Sequence, residues 1–506
     1  LTTFTAPAFA GTWYIEDGNI TVKAGETGND VTQNNVTTKN DTNTIITNRE
    51  DKASSNTVTI DANGKNDKVE VTLKDVNIDT SSRNKAAVSV TGEGDTNIKL
   101  NGDNALKSDI YRSGIYGSGI YGSGSGSLTI SGGENDSLTA QGGSGANGIS
   151  SSGSLTISGG TVTANGDDGG RGISSSGSVT ISGGSTVTAN GGNGTISGGD
   201  GICSNGGVTI SGGSTVTANG GNGGSLIGGD GIRSGGGLTV SDGTVTAKGG
   251  NGDSKDGYGG DGIRSGGVVT ISGNTVNAAG GNGGKVGGYG ICSFDRVAIS
   301  GGTVNAAGGN SSYGGGDGIR SSDIDLSGSL ELTAKAGSPN GKALSQRGSE
   351  LNLDAIKDKL GPGAKVTVTD ADGKVNQVSI PRPVEPEEPV IPEESSSSSD
   401  GGSATPSTPA SPLPGLTVTD KSGAVISYTS TQSGNTLTVC VGRFTASFRI
   451  SLAALRQLRA EGIETITFQT ILCSTTLSVD ELLAMGGEDA EAVLTHRLTD
   501  SSLTVG

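Results

Sequence analysis

The stretch GICSNGGVTISGGSTVTANGGNGG, residues 201–224, decides the fold. Val208 and Ile210 lie two positions apart, and so do Val216 and Ala218. A spacing of two places side chains on one face of a β-strand, whereas a helix needs a spacing of three or four. Glycine, serine and asparagine separate these runs. The stretch therefore predicts three short strands joined by glycine-rich corners, at which we expect glycine because the backbone needs a positive φ.

Nearly the same wording recurs along the chain with a period of roughly 24 to 31 residues. One unit buries only a few small aliphatic side chains, each worth about 1.5–3 kcal/mol, whereas each ordered residue costs about 1–2 kcal/mol. Only units that coil and stack can share a core large enough to be stable. We therefore expect an all-β parallel β-helix, a solenoid, over residues 11–345. The units begin at Gly148, Gly172, Gly201, Gly231, Gly262, Gly290 and Gly318, with a degenerate one at Gly119.

Three further segments follow the repeats. Residues 346–380 read as a short helix and a hairpin, which we expect to cap the β-helix. Residues 381–414 are rich in Pro, Glu and Ser and are typical of a linker. Residues 415–506 predict a small α+β domain, in which Ser451 caps one helix and Ser478 forms a capping box with Glu481 at the other.

The composition and the first residues of the chain indicate where in or outside the cell the protein is located. The formal charge is −17 and no run of Lys or Arg exists, which argues against nucleic-acid binding. Ala8-Phe9-Ala10 has the small-x-small form of a signal-peptidase site, so we interpret residues 1–10 as a residual signal peptide. No run of 18 apolar residues predicts a transmembrane segment. These features predict a secreted or bacterial cell-surface protein.

The four cysteines divide by region. Cys203 and Cys292 occupy equivalent positions three turns apart, a distance of about 14 Å, so we expect free thiols because a disulfide needs Cα atoms within about 7 Å. Cys440 and Cys473 lie in the last domain and form a candidate disulfide, which export would permit.

An aspartate directly precedes the Gly-Ile pair in four units, at Asp200, Asp230, Asp261 and Asp317. On adjacent turns such carboxylates would stack about 4.8 Å apart, and each would raise the pKa of the next. Three interpretations stay open: the side chains cap turns, they bind calcium as a cofactor, or they pair with the arginines that follow. Calcium prefers an all-oxygen set of ligands of this kind.

Tyrosines are the candidate carbohydrate-binding residues, since a flat aromatic ring offers a sugar an apolar face. Tyr258, Tyr289 and Tyr313 lie in the loops before three consecutive Gly-Ile pairs, where we expect them to share one edge. Tyr116 and Tyr121 lie further upstream. Loop filling is the alternative interpretation.

Two stretches carry a resemblance to a known family. GTWYIEDGNITV, residues 11–22, and the alternating segment of residues 69–108 resemble bacterial secreted carbohydrate-binding proteins of the right-handed parallel β-helix family, of the clostridial cellulose- and pectin-binding type. The resemblance covers residues 11–345. It implies a right-handed coil and a non-catalytic polysaccharide binder, with calcium held by acidic groups on the coil.

Catalysis finds little support in the sequence. The single histidine, His496, lies in the terminal domain, which excludes a Ser-His-Asp arrangement on the coil, and we expect it to be a surface residue without a role. We therefore favour a non-enzymatic binder of plant cell-wall or host polysaccharide. Two alternatives remain: an adhesin or structural stalk without a sugar ligand, and a pectate-type polysaccharide lyase. Residues 415–506 are a candidate contact with the cell envelope or other surface proteins.

Overall fold

The structure is a computed structural model. It describes residues 10–83, 85–108, 119–381, 415–420, 423–426, 428–441, 443, 445–470, 474–487, 490–496 and 501–505. The predicted signal peptide up to residue 9 and the predicted linker from residue 382 to 414 lie outside this range. The chain divides into two compact units, Leu1–Pro386 and Glu387–Gly506.

Unit one is a β-solenoid in which each turn adds one strand to each of three mainly parallel sheets. We name the sheets after the commonest sequence motif of their strands: the GI, VTI and TVT sheets. The GI sheet contains, in spatial order, Ser349–Glu350, Leu344–Gln346, Ile319–Ser321, Ile291–Ser293, Ile263–Ser265, Ile232–Ser234, Ile202–Ser204, Ile173–Ser175, Ile149–Ser151, Ile120–Gly122, Val88–Gly92, Val58–Ala62, Ile20–Ala24, Asn29–Gln33 and Val36–Asp41. The VTI sheet contains Thr12–Tyr14, Thr44–Thr47, Lys68–Lys74, Asp95–Asn101, Leu128–Ser131, Leu155–Ser158, Val179–Ser182, Val208–Ile210, Leu238–Val240, Val269–Ile271, Arg296–Ile299 and Asp323–Leu326. The TVT sheet contains Asn77–Asp79, Asp103–Lys107, Ser137–Ser144, Thr161–Asp167, Thr186–Asn190, Ser214–Asn219, Gly243–Lys248, Thr275–Ala279, Thr303–Ala307, Glu331–Lys335, Lys365–Thr369 and Val375–Ser379.

The core confirms the prediction that apolar residues two positions apart point inward from each strand. Val208, Ile210, Val216 and Ala218 are at most 1% exposed. Ile202 stacks on the equivalent isoleucines of the turns before and after it. Because every turn repeats this pattern, the inward side chains form one continuous apolar column.

Antiparallel hairpins cover both ends of the coil. Asn29–Gln33 and Val36–Asp41 extend the GI sheet at the N-terminal end. At the other end Lys365–Thr369 adds the last parallel strand to the TVT sheet and pairs with Val375–Ser379. A 3-10 helix, Leu353–Lys359, packs Leu353 into the core. These elements protect strand edges that would otherwise pair with other chains.

The predicted reason for the glycines is only partly correct. Gly183 and Gly184, at a corner, have φ of 67° and 70°. In the longer loops glycine has another cause. Each loop leaves the TVT sheet as a Gly-Gly-Asn arm and returns to the GI sheet as a Gly-Gly-Asp arm, or as Gly-Gly-Tyr at residues 287–289. Gly199 donates its N–H to Gly192 O of the same turn at 2.9 Å and accepts from Gly221 N of the next turn at 2.8 Å. A Cβ on Gly199 would lie 2.0 Å from Gly170 O, so glycine is required by backbone packing against backbone.

In its described residues, unit two has two four-stranded sheets and two helices. Ser451 Oγ accepts from Ala454 N, and Ser478 Oγ accepts from Glu481 N, so both predicted caps are confirmed. The prediction that His496 is a surface residue is wrong: it is fully buried beside Phe448, because its strand turns it inward. One sheet contains Leu416–Thr419, Ala446–Ser451, Glu491–His496 and Ser501–Val505; the other contains Thr429–Ser433, Thr436–Cys440, Thr465–Gln469 and Ser474–Ser478; the helices are Leu452–Ala460 and Val479–Met485.

Candidate functional site

The aspartates before the Gly-Ile pairs form a hydrogen-bonded row, which we call the aspartate ladder: Asp200, Asp230 and Asp261. Asp200 Oδ1 accepts from Asp230 N at 2.9 Å, and Asp230 Oδ1 accepts from Asp261 N at 2.7 Å. Asp261 Oδ1 accepts from Tyr289 N at 2.8 Å on the following turn. The three residues are 4–6% exposed. Stacking on adjacent turns, as predicted, is therefore present, and each carboxylate satisfies a backbone N–H of the next turn.

Arginines approach the other carboxylate oxygens. Arg171 Nε donates to Asp200 Oδ2 at 3.0 Å. Arg264 Nη1 lies 3.6 Å from Asp261 Oδ2, and Arg320 Nη1 lies 4.0 Å from Asp317 Oδ2. Only the first distance is short enough for a hydrogen bond. Arg171 was missed in the sequence, although in RGIS it occupies the same position before Gly-Ile as the aspartates do.

Burial disturbs the ionisation of the ladder. Burial first, and then the charges of Asp261 and Asp200, raise the pKa of Asp230 well above its usual value. Burial also raises the pKa of Asp261 to about 6, although the Tyr289 N–H and Arg264 oppose this. Asp261 Oδ2 is buried without a hydrogen-bond partner. Both shifts disfavour the charged forms of Asp230 and Asp261, because these carboxyl groups are buried next to one another.

These carboxylates do not fit a calcium ion well. Each Oδ1 is occupied by a backbone N–H, and Oδ2 of Asp200 and of Asp261 faces an arginine. Among the residues that the structure describes, no group of three or more His, Cys, Asp or Glu side chains is arranged to hold a metal ion. Asp317, the fourth candidate ligand, is separated from the ladder by Tyr289 and accepts from Lys342 N at 2.8 Å. Calcium binding stays a prediction.

The structure separates the three tyrosines that we expected on one edge. Tyr289 takes the place of an aspartate in the row, is half-buried, and its hydroxyl accepts from Arg320 Nη1. Tyr258 and Tyr313 lie instead at the outer tips of the glycine arms, 37% and 68% exposed. The shared edge is wrong for Tyr289, because Tyr289 directly precedes Gly290, whereas Tyr258 lies four residues before Gly262 and Tyr313 five residues before Gly318. Tyr121 lies on the outer face of the GI sheet between Ser89 and Ser150, and Tyr116 lies outside the described residues.

The arm tips carry a row of apolar side chains that the sequence analysis did not single out. Five consecutive turns each place at least one at or beside the tip. Ile227, Tyr258 and Val286 are in register, and Ile196 and Tyr313 each lie one residue before the positions that continue this register, Ser197 and Gly314. Lys285 Nζ lies 5.6 Å from the Tyr258 ring centroid. At about 4.8 Å per turn the row is about 19 Å long. We call it the tip stripe; its members are Ile196, Leu226, Ile227, Tyr258, Val286 and Tyr313.

A second surface lies at the base of the arms, on the outer face of the GI sheet. Arg233 and Arg264 stack there on adjacent turns, and Arg320 follows two turns later beyond Cys292. Two cavities, of about 590 and 430 Å³, both include Arg264 in their walls and make one groove. Arg347 completes the second cavity. We call Arg233, Arg264, Arg320 and Arg347 with these cavities the arginine groove.

The cysteines take no part in a disulfide within the coil. Cys203 and Cys292 are free and buried, which confirms the prediction, and burial raises their pKa to about 11 and about 12. Cys440 is also free, and its thiol donates to Gln469 Oε1 at 3.5 Å. Cys473 lies outside the described residues, so its pairing with Cys440 stays a prediction.

Comparison of the chain with models of known protein families, with curated proteins and with solved structures finds no match to any of them. No helix in the described part of the chain is long and apolar enough to cross a membrane.

Proposed function

We propose that this protein is an exported, non-catalytic polysaccharide-binding protein of the carbohydrate-binding β-helix type, and that the tip stripe is its sugar contact. One observation carries the proposal. Five consecutive turns hold an apolar side chain at or beside the tip of an arm, two of these are tyrosines, and all are exposed except the half-buried Val286. Exposed contiguous apolar surface on a soluble protein is typical of a binding site.

The shape of the stripe suits a polymer. The side chains are spaced along the coil axis at one turn each, so a chain of sugars laid along the axis would meet one apolar group after another. Tyr258 and Tyr313 lie two turns apart and provide ring faces for stacking. Because the arms are bonded backbone to backbone in every turn, little conformational entropy is lost on binding.

Retention on insoluble cellulose and pectin tests the proposal. We expect wild-type protein to be retained and the double variant Tyr258→Ala/Tyr313→Ala to lose about tenfold in affinity, or ~1.4 kcal/mol. Its unfolding free energy should change by only about 0.5 kcal/mol per site, since both residues lie at loop tips. Val36→Ala is the matched control, because Val36 is 66% exposed but lies on the N-terminal hairpin.

The alternatives predict different results in the same assay. An adhesin or stalk without a sugar ligand would pass unretained over every polysaccharide. A lyase would release an unsaturated product that absorbs ultraviolet light. Retention that survives the double variant would move the sugar contact away from the tip stripe.

A further inference from the structure

We propose that the arginine groove is a second binding site, which holds a tetrahedral oxyanion ester, sulfate or phosphate, carried by a glycan. The proposal rests on the proposed function only in taking a glycan as the carrier. The evidence for the groove itself is the four arginines and the aromatic side chains beside them.

The guanidinium groups are held in place while several of their N–H donors stay available. Arg264 lies over the Phe294 ring at 5.2 Å, and Arg320 over the Tyr289 ring at 4.9 Å. Stacking of this kind fixes the plane of a guanidinium and leaves its edge free to donate. The carboxylates at 3.6 and 4.0 Å are too distant to accept hydrogen bonds from these two arginines.

Charge in the groove is positive although the protein is acidic overall. Arg264 and Arg320 each have one carboxylate nearby, at 3.6 and 4.0 Å, whereas the same cavity holds a third guanidinium group, that of Arg347. Arg347 forms no ion pair with a described residue, and its Nε donates only to Ser322 O at 3.1 Å. An anionic group that enters the cavity would balance this excess of positive charge.

The number of donors favours a tetrahedral ester over a carboxylate. Arg264, Arg320 and Arg347 line one cavity of about 430 Å³. A single bidentate arginine already engages both oxygens of a carboxylate. Three guanidinium groups offer enough donors for the three terminal oxygens of a sulfate or phosphate ester. Phe294, 61% exposed, provides an apolar wall for the adjoining sugar ring.

Binding of the full chain to dextran sulfate, dextran phosphate, polygalacturonate and uncharged dextran tests the site. The net charge of −17 disfavours unspecific adsorption of polyanions, so binding must come from a local positive surface. We expect at least tenfold tighter binding of one or both ester polymers than of polygalacturonate. Comparison of the sulfate and phosphate arms identifies the ester.

Variants locate the binding. Arg320→Gln and Arg347→Gln should each weaken ester binding about tenfold, with unchanged melting curves for the exposed Arg347→Gln. Arg296→Gln is the control, since Arg296 is exposed on the VTI sheet outside both cavities. Unchanged ester binding in both variants, or equal binding of polygalacturonate, would overturn the proposal. Retention on cellulose or pectin that is lost only in Tyr258→Ala/Tyr313→Ala would then show that the proposed function stands without the groove.

Discussion

In the long loops the outgoing arm ends in an asparagine, and the returning arm ends in an aspartate in all but one case. Both side chains accept a backbone hydrogen bond from the next turn, but only the aspartate can carry a charge. On the outgoing arm Asn193 Oδ1 accepts from Asn222 N at 2.7 Å, and Asn222 Oδ1 accepts from Asn251 N at 2.8 Å. The row continues through Asn282 and Asn310, and we call it the asparagine ladder. On the returning arm the aspartate ladder makes the same bond in the same direction.

The difference between the ladders shows that the hydrogen bond does not require a carboxylate. Residues of the asparagine ladder are exposed or half-buried, and a neutral amide suffices there. The aspartates are buried, where a charge is costly to desolvate. What distinguishes their surroundings is the row of arginines on the neighbouring face. The charge of the aspartate ladder is therefore not needed to hold the loop, and among the described residues the asparagine ladder has no such arginines beside it.

Substitution of the arm glycines should have the largest effect, and an equal one on both arms. A Cβ at Gly221, beside Asn222, would lie 2.0 Å from Gly192 O; a Cβ at Gly229, beside Asp230, would lie 1.9 Å from Gly199 O. Both carbonyls are held by hydrogen bonds, since Gly192 O accepts from Gly199 N of the same turn and Gly199 O accepts from Gly221 N of the next turn. We expect Gly221→Ala and Gly229→Ala each to cost about 3 kcal/mol or more in thermal unfolding, at the upper end for single substitutions.

Gly314→Ala is the control for these two variants, because a Cβ at Gly314 meets no atom within 4 Å. Its unfolding free energy should stay within about 1 kcal/mol of wild type. A large difference between Gly221→Ala and Gly229→Ala would show that the two arms are not equivalent and that the ladders cannot be compared through charge alone.

Exchanging the ladder residues tests the role of charge directly. We expect Asp230→Asn to be more stable than wild type at pH 8, since the amide keeps the bond to Asp261 N and removes a buried charge. Below pH 4 the carboxyl is protonated in both folded and unfolded protein, so the advantage should vanish. Because the pKa of Asp230 is raised on folding, wild type loses this stability as the pH rises from about 4 upward.

The pKa of the neighbouring Asp261 indicates how large this change in unfolding free energy should be. A pKa of about 6 for Asp261 against an ordinary 3.8 corresponds to about 3 kcal/mol. Melting curves of Asp230→Asn and wild type at pH 4 and pH 8 measure the difference. The reciprocal variant Asn222→Asp places a charge on the partly exposed ladder and should change stability by less than about 1 kcal/mol. Destabilisation by Asp230→Asn at pH 8 would mean that its charge stabilises the fold.

The sequence predicted the coil and its core because period-two spacing recurs at fixed places around each Gly-Ile pair. It also predicted the aspartate stack, since residues at the same place in adjacent turns must be neighbours. It could not predict the packing of Gly199 against Gly170, because that contact joins loops of different length in different turns. Tyr289 was placed on the wrong surface because it directly precedes its Gly-Ile pair, whereas Tyr258 and Tyr313 lie four and five residues before theirs. His496 follows Ala492 and Leu494 at a spacing of two on the inward face of its strand, but this signal was overlooked because a histidine is not apolar.

Removal of divalent cations should change the stability of the protein least of all. It also tests whether the aspartate ladder binds a metal ion, which would be a second difference from the asparagine ladder. In the asparagine ladder neutral amides accept backbone N–H groups, and the aspartate ladder offers its Oδ1 atoms to the same partners. Its remaining oxygens are buried or face Arg171 and Arg264, whose positive charge opposes that of a cation. We therefore expect EDTA to leave the melting temperature of the full chain within about 1 °C, and added calcium to have no larger effect, since a ligand that binds only the folded state must stabilise it. A fall of several degrees that calcium but not magnesium restores would assign calcium to the coil, as the family resemblance implies. Because Asp230→Asn should abolish that response if the ladder holds the ion, the same measurement on this variant locates the site.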